Sequence, residues 1–191
     1  MALIRRPADF KHTEHTLAKA VACNYMFSRR FQVMIPNCYT SQDNEADILG
    51  IKSNNYCDEF EIKLSKADFD NDAKKLIQYR DMNQQERKLG WDARDPDMKP
   101  WQMPKQEALQ KGLMVCNRFW FIVPSELHTK IKVPSWAGLI TVLGESGVRV
   151  RQEPKKLHSR KMDNDDRNHH ASKLGDRYWK TVNGVRYHGS R

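Results

Sequence analysis

The sequence predicts a mixed α/β fold, a central sheet flanked by helices, and three observations carry that expectation. The run Tyr56 to Leu64 alternates, with Phe60, Ile62 and Leu64 on one side and Glu59, Glu61 and Lys63 on the other. Two amphipathic helical patterns interrupt the strand runs, and the later half of the chain holds short continuous apolar runs closed by proline or glycine, as buried strands are. Strands separated by amphipathic helices pack as a sheet with a helix on each face. At 191 residues and 39% hydrophobic content the chain is long enough for one domain with a core and an appended tail. No apolar run approaches the roughly 18 to 20 residues needed to cross a bilayer, and the first residues lack the apolar segment of a signal peptide. A soluble cytoplasmic protein without membrane contact is expected.

In chain order, Met1 to Lys11 is a polar and basic arm. From Thr13 to Cys23 the spacing of Leu17, Ala20 and Val21 predicts a helix with Thr13 as its N-cap. Glu14 lies on the same side as that apolar stripe. Phe31 to Ile35 reads as a strand ended by Pro36, and Asn37 to Asn44 as a polar loop. Glu45 to Ile51 is nearly all apolar apart from Asp47, and Ser53-Asn54-Asn55 is a tight-turn sequence, so this run and the next form a hairpin with Asp47 beside Glu61 and Lys63. Ser65-Lys66-Ala67-Asp68 has the form of a capping box opening a helix in which Phe69, Ala73, Leu76 and Ile77 make the packed stripe. Asp68, Asp72 and Lys75 share a second face of that helix, and Lys74 and Gln78 a third. Met82 to Leu113 is irregular, with Trp91 and Trp101 among basic residues, until Pro104 to Gly112, a short helix stopped by glycine. Such a stretch serves either as a lid over nucleic acid or as an anchored loop. Met114 to Cys116, Phe119 to Val123, Leu139 to Leu143 and Val148 to Val150 complete the sheet, with Gly144 to Gly147 as a turn.

Two carboxylates and an ammonium on one sheet face form a recognisable chemical set. Hard cations such as Mg²⁺ take one or two carboxylates together with water and phosphate oxygens. Asp47 and Glu61 supply the carboxylates, and Lys63 positions or deprotonates an attacking water. Asp47 followed by Glu61-Ile62-Lys63 resembles the D…(D/E)-x-K signature of the PD-(D/E)XK nuclease superfamily, with Ala46 where a proline usually precedes the aspartate. The run Glu61 to Phe69 resembles the E-x-K-x-S-x-A-D-F stretch of its MmcB-like and related phage-encoded branches. Asn117 to Pro124 and Pro134 to Ile140 resemble later strands of the same branch. The resemblance covers roughly Glu14 to Lys161.

That resemblance implies a restriction-endonuclease-like core over residues 1–154, with an insertion at about 83–112 and a basic C-terminal extension over 155–191. It also implies Mg²⁺, or Mn²⁺, held by Asp47, Glu61 and the main-chain carbonyl of Ile62, with Lys63 acting on the water. Glu14 is either an outer ligand or a residue that stabilises the positive end of its helix. DNA is the implied substrate, in phage or bacterial DNA processing, repair or recombination. Lys74, Lys75 and Gln78, from the helix after Lys63, and Lys105, Lys156, Arg160 and Lys161 are the expected nucleic-acid contacts, although a solvated surface explains the helix residues equally.

The net charge of +9 favours a polyanionic partner. Residues 155–191 hold ten Lys and Arg against four Asp and Glu, with Tyr178, Trp179 and Tyr187 interleaved. Cys23, Cys38, Cys57 and Cys116 contain no C-x-x-C pair and read as free thiols rather than zinc or cluster ligands. The adjacent His169 and His170 read as solvated. Beside the nuclease stand two alternatives: a module of the same fold that binds DNA or a protein without cutting, as an adaptor or phage inhibitor, and an RNA-processing nuclease. A homo-oligomer or a protein partner fits either.

Overall fold

The computed structural model describes residues 13–21, 25, 28–29, 31–40, 44–79, 101–143 and 147–182. In chain order these form α1 (Glu14–Val21), β1 (Phe31–Tyr39), β2 (Glu45–Lys52), β3 (Cys57–Ile62), α2 (Lys66–Asp72), β4 (Leu76–Tyr79), β5 (Trp101–Pro104), α3 (Lys105–Gln110), β6 (Arg118–Pro124), β7 (Gly138–Leu143), β8 (Gly147–Gln152) and α4 (Asn164–Val182). The architecture is mixed α/β around a six-stranded sheet of order β1-β2-β3-β6-β7-β8. β1, β2 and β3 form an antiparallel meander, β6 joins β3 in parallel, β7 joins β6 in parallel, and β8 returns antiparallel.

Alternation along the strands decides which layer each side chain enters. Phe60 and Ile62 of β3, with Ile48, Trp120, Ile122, Ile140 and Val142, pack beneath Leu17, Ala20 and Val21 of α1. The opposite face carries Leu49, Ile51, Cys57, Phe119, Phe121 and Leu139, covered by Phe69 of α2 and Ala108 and Leu109 of α3. Glu59 and Glu61 point into this second layer, because they alternate with Phe60 and Ile62. The hairpin expected around Ser53-Asn54-Asn55 is present, with Asn55 at φ 65° and Leu49 paired to Glu59. α2 opens on Ser65, whose hydroxyl accepts the Asp68 N–H at 3.1 Å.

Several expectations are corrected. β1 does not stop at Pro36 but runs on to Tyr39. It lies at the sheet edge, where a residue without an N–H is tolerated. The helix after Lys63 ends at Asp72, so Leu76 and Ile77 belong to β4, whose partner is β5. Met114 to Cys116 is not a strand. α3 stops before Gly112 as expected, and that glycine takes φ +66°. Within the expected C-terminal extension, Leu157 and Met162 pack in the second core layer, and the Leu157 N–H donates to the Asn117 carbonyl. His170 is buried beside Cys38, with Nδ1 3.4 Å from Sγ, rather than solvated. Cys38, Cys57 and Cys116 are free and buried. Residues 83–100 of the expected insertion, Trp91 among them, Gly144 to Ser146 of the expected turn, Cys23, and 183–191 of the extension lie outside the described residues. No described helix is long and apolar enough to cross a membrane.

Candidate functional site

β2, β3, α2 and the β4–β5 ribbon converge on the end of β3. Extending the pairing of Leu49 with Glu59 by two residues sets Asp47 opposite Glu61. Asp47 Oδ2 accepts the Ile62 N–H at 2.6 Å, so the two hairpin strands are tied at this point. Lys63 leaves β3 with its N–H donated to the Ile122 carbonyl, and its Nζ lies 2.9 Å from Glu61 Oε1. The three residues of the sequence motif therefore gather on one face.

Other residues complete the cluster. The polar face of α2 is turned toward Lys63, with Asp72 Oδ1 at 3.0 Å and Asp68 Oδ1 at 3.7 Å from Nζ. Lys75 precedes β4 and Lys105 follows β5. Because the ribbon is antiparallel it brings both to its base, where the Lys105 N–H donates to the Lys75 carbonyl at 2.8 Å. Lys75 pairs with Glu61 Oε1 and, at 3.4 Å, with Asp72. Lys105 Nζ bridges Glu59 Oε1 at 2.9 Å and Glu61 Oε2 at 3.1 Å, over the ring of Phe119 at 5.1 Å. Glu61 thus accepts three ammonium groups.

Burial pushes the Glu61 carboxyl up, but Lys105, Lys63 and Lys75 outweigh it and hold the group at about 2. Burial pushes Lys63 down, whereas Glu61 and Asp72 outweigh that and raise it above the ordinary lysine value. Both groups are therefore charged near neutrality. Lys63 stands in this arrangement as a cationic donor between Glu61 and Asp72.

Two features bear on a divalent cation. Around Glu61 the carboxylates Asp47, Glu59, Glu61, Asp68 and Asp72 face three lysines, leaving a formal charge of −2 among the described residues. Neither Asp72 oxygen nor Glu59 Oε2, all buried, accepts a well-aligned hydrogen bond among the described residues, although Asp72 is ion-paired. Those residues contain no group of three or more His, Cys, Asp or Glu side chains placed as a ready ligand set. Asp47 and Glu61 with a main-chain carbonyl remain a donor set of the hard-oxygen kind that Mg²⁺ accepts, with water and phosphate filling the rest. The residues present fit such an ion on chemistry and charge.

The expected nucleic-acid contacts do not fall together. Lys74 is exposed in the turn after α2, and Lys75, half-exposed, covers Glu61. Gln78 sits in β4 rather than on a helix, and its side chain, like that of Glu14 at the start of α1, lies outside the described residues. Lys105 is not a surface phosphate contact: it is wholly buried between Glu59 and Glu61. Lys156 and Lys161 lie over the ring of Tyr56, at 4.5 and 5.6 Å. Arg160 donates to the Gly112 carbonyl at 2.6 Å and so is committed to holding the chain after α3. Tyr56 precedes β3 and Glu61 nears its end, so this basic patch is roughly 17 Å from the acidic cluster at the usual strand rise.

Sequence reasoning missed Glu59, Asp72 and Lys105 as members of the cluster. The signal was present in periodicity. Lys105 shares its helix face with Ala108 and Leu109, and Asp72 shares that of Phe69, so both occupy packed positions despite their charge.

No protein-family model matches the chain, and no curated protein does. Among solved structures it is similar to a protein of unknown function from Silicibacter pomeroyi, at 17% identity and a TM-score of 0.59, over 95% of this chain and 97% of that one. The likeness extends over nearly the whole length and concerns the fold.

Proposed function

We propose that the protein is a metal-dependent nuclease that hydrolyses DNA phosphodiester bonds at the end of β3. The observation that carries this reading is the convergence of Asp47, Glu61 and Lys63 on one sheet face. Asp47, Glu61 and the Ile62 carbonyl would hold Mg²⁺ or Mn²⁺, which when bound lowers the pKa of water and offsets charge on the phosphate. Asp47 fixes the Glu61–Ile62 peptide through its hydrogen bond to the Ile62 N–H. Glu61 stays ionised because three ammonium groups surround it. Lys63 stays charged and donates to the attacking water or to a phosphate oxygen. Lys75, 44% exposed, covers Glu61 and is the group that moves aside, exchanging a carboxylate for a substrate phosphate. A PD-(D/E)XK core is the form of the mixed α/β fold that this chemistry would use, with the surplus of positive charge serving DNA binding.

Incubating the purified protein with linear, circular, single-stranded and branched DNA, in Mg²⁺, Mn²⁺ or chelator, tests the reading. Asp47→Ala and Lys63→Ala abolish cleavage while circular dichroism reports an intact fold; undiminished cutting by either variant rules out the assignment.

One observation favours a second reading. Glu61, Lys63 and Asp72 are almost wholly buried, with Lys63 paired to both carboxylates, as in the polar core of a non-cleaving DNA- or protein-binding module. DNA binding that is indifferent to metal and to both motif carboxylates selects that module.

A further inference from the structure

The three ammonium groups on Glu61 are not equivalent. Lys75 reaches it from the surface with a half-exposed side chain, and Lys63 from the adjoining end of β3. Lys105 reaches it from within, fully buried, from a helix whose Ala108 and Leu109 are part of the core. Its backbone N–H is bonded to the Lys75 carbonyl and its ammonium lies over Phe119. In this arrangement the Lys105 ammonium is held away from solvent by the core around it.

Its position is that of a bridging cation. Glu59 and Glu61 lie two residues apart on one strand, facing the same layer, and the ammonium contacts one oxygen of each, at 2.9 and 3.1 Å. Carboxylates gathered in this way hold the second ion in sites that bind two metals about 3.5–4 Å apart. Among the described residues Lys105 is the one cation paired with Glu59, whose Oε1 also accepts from Asn44 Nδ2 at 3.1 Å.

We infer that Lys105 fills the place of a second divalent cation, so that the site takes a single ion, shared by Asp47 and Glu61, and not a pair. This rests on the metal-dependent reading and specifies its stoichiometry. A fixed monovalent charge at the Glu59 side holds Glu61 in place without metal, and the single ion is taken where Asp47 stands opposite Glu61. Lys105 is in this sense a positioning residue that acts through Glu61.

Bound Mn²⁺, counted by electron paramagnetic resonance of the purified full chain, provides the test. The wild type is expected to bind one ion, Lys105→Gln two, and the double variant Glu59→Gln/Lys105→Gln one. Where K105Q is unstable without metal, its thermal midpoint should rise with Mn²⁺ by more than that of the wild type. Two ions on the wild type, a folded K105Q that gains none, or a K105Q chain that Mn²⁺ does not rescue, each overturns the inference while leaving a metal-dependent nuclease standing. A wild type that binds no Mn²⁺ overturns both.

Discussion

Replacing Lys105 by methionine tests the physical core of the site without reference to any activity. Methionine keeps most of the length of the side chain, and its thioether fits the packing between Ala108, Leu109 and Phe119. What is lost is the ammonium that bridges Glu59 and Glu61, each pairing close to 3 Å and every partner almost wholly buried. Glu61 retains Lys63 and Lys75; Glu59 is left with neutral partners, the amide of Asn44 and the thiol of Cys116. Removing one partner of a buried ion pair costs about 3–5 kcal/mol, because the remaining charge is desolvated and uncompensated. At a urea m-value of about 2 kcal/mol/M that moves the unfolding midpoint down by roughly 1.5–2.5 M. An internal control is available in Lys111, which pairs with Glu107 at 2.6 Å at the exposed end of the same helix. Lys111→Met should lose less than about 1 kcal/mol. Adding Glu59→Gln to Lys105→Met removes the orphaned charge and should recover at least about 2 kcal/mol. A Lys105→Met variant no less stable than Lys111→Met, or a double variant that recovers nothing, would refute the reasoning.

Two other features make equally direct predictions. Gly138 is paired with Trp120 across β6 and β7, and a Cβ there would meet the indole at 2.2 Å, far inside contact distance. Trp120 is itself locked between Phe60 and Tyr25, so Gly138→Ala should cost about 1–3 kcal/mol by denaturant titration and alter tryptophan fluorescence; an unchanged midpoint would show that the ring has room to move. Among the described residues His158 is one of two histidines, with His170, whose burial ties stability to pH. In His158, Nε2 donates to the Met114 carbonyl at 2.9 Å while Nδ1 faces the amide of Asn117 at 3.2 Å, and burial is the first cause holding its pKa below the ordinary histidine value. A depressed folded pKa means that its contribution to stability is complete above the unfolded value near 6.5 and is lost as pH falls through the folded value. His158→Gln, which retains a donor for Met114, should therefore flatten the fall in thermal midpoint between about pH 7 and pH 5. Identical slopes in the two proteins would exclude the histidine as its source.

The parts of the fold readable in advance were those set by neighbouring residues. Alternation from Phe60 to Ile62 and the Ser53-Asn54-Asn55 turn were enough to place Asp47 beside Glu61, since a hairpin is a local structure. Ser65 similarly announced the start of α2. The end of that helix was not readable, because Leu76 and Ile77 satisfy either period and only a distant partner, Trp101 to Pro104, makes them a strand. The charge of Lys105 points to the surface, whereas Ala108 and Leu109 mark its helix face as buried. Its counter-charges come from β3, far away in sequence, and pairing across such a separation leaves no local trace.

Sheet margins invite other chains to pair with their open backbone groups, and this protein handles its two margins differently. On β1, Pro36 offers no donor, and Arg177 of α4 takes up the carbonyls of Pro36 and Asn37, so the C-terminal helix serves as a clasp along that border. On β8 the exposed positions are Arg149 and Arg151, and the Arg151 side chain turns back across the sheet, its Nε donating to Thr141 Oγ1 of β7 at 3.2 Å. One border is thus closed by a side chain reaching over from a packed helix, and the other is left to a strand whose exposed positions are charged.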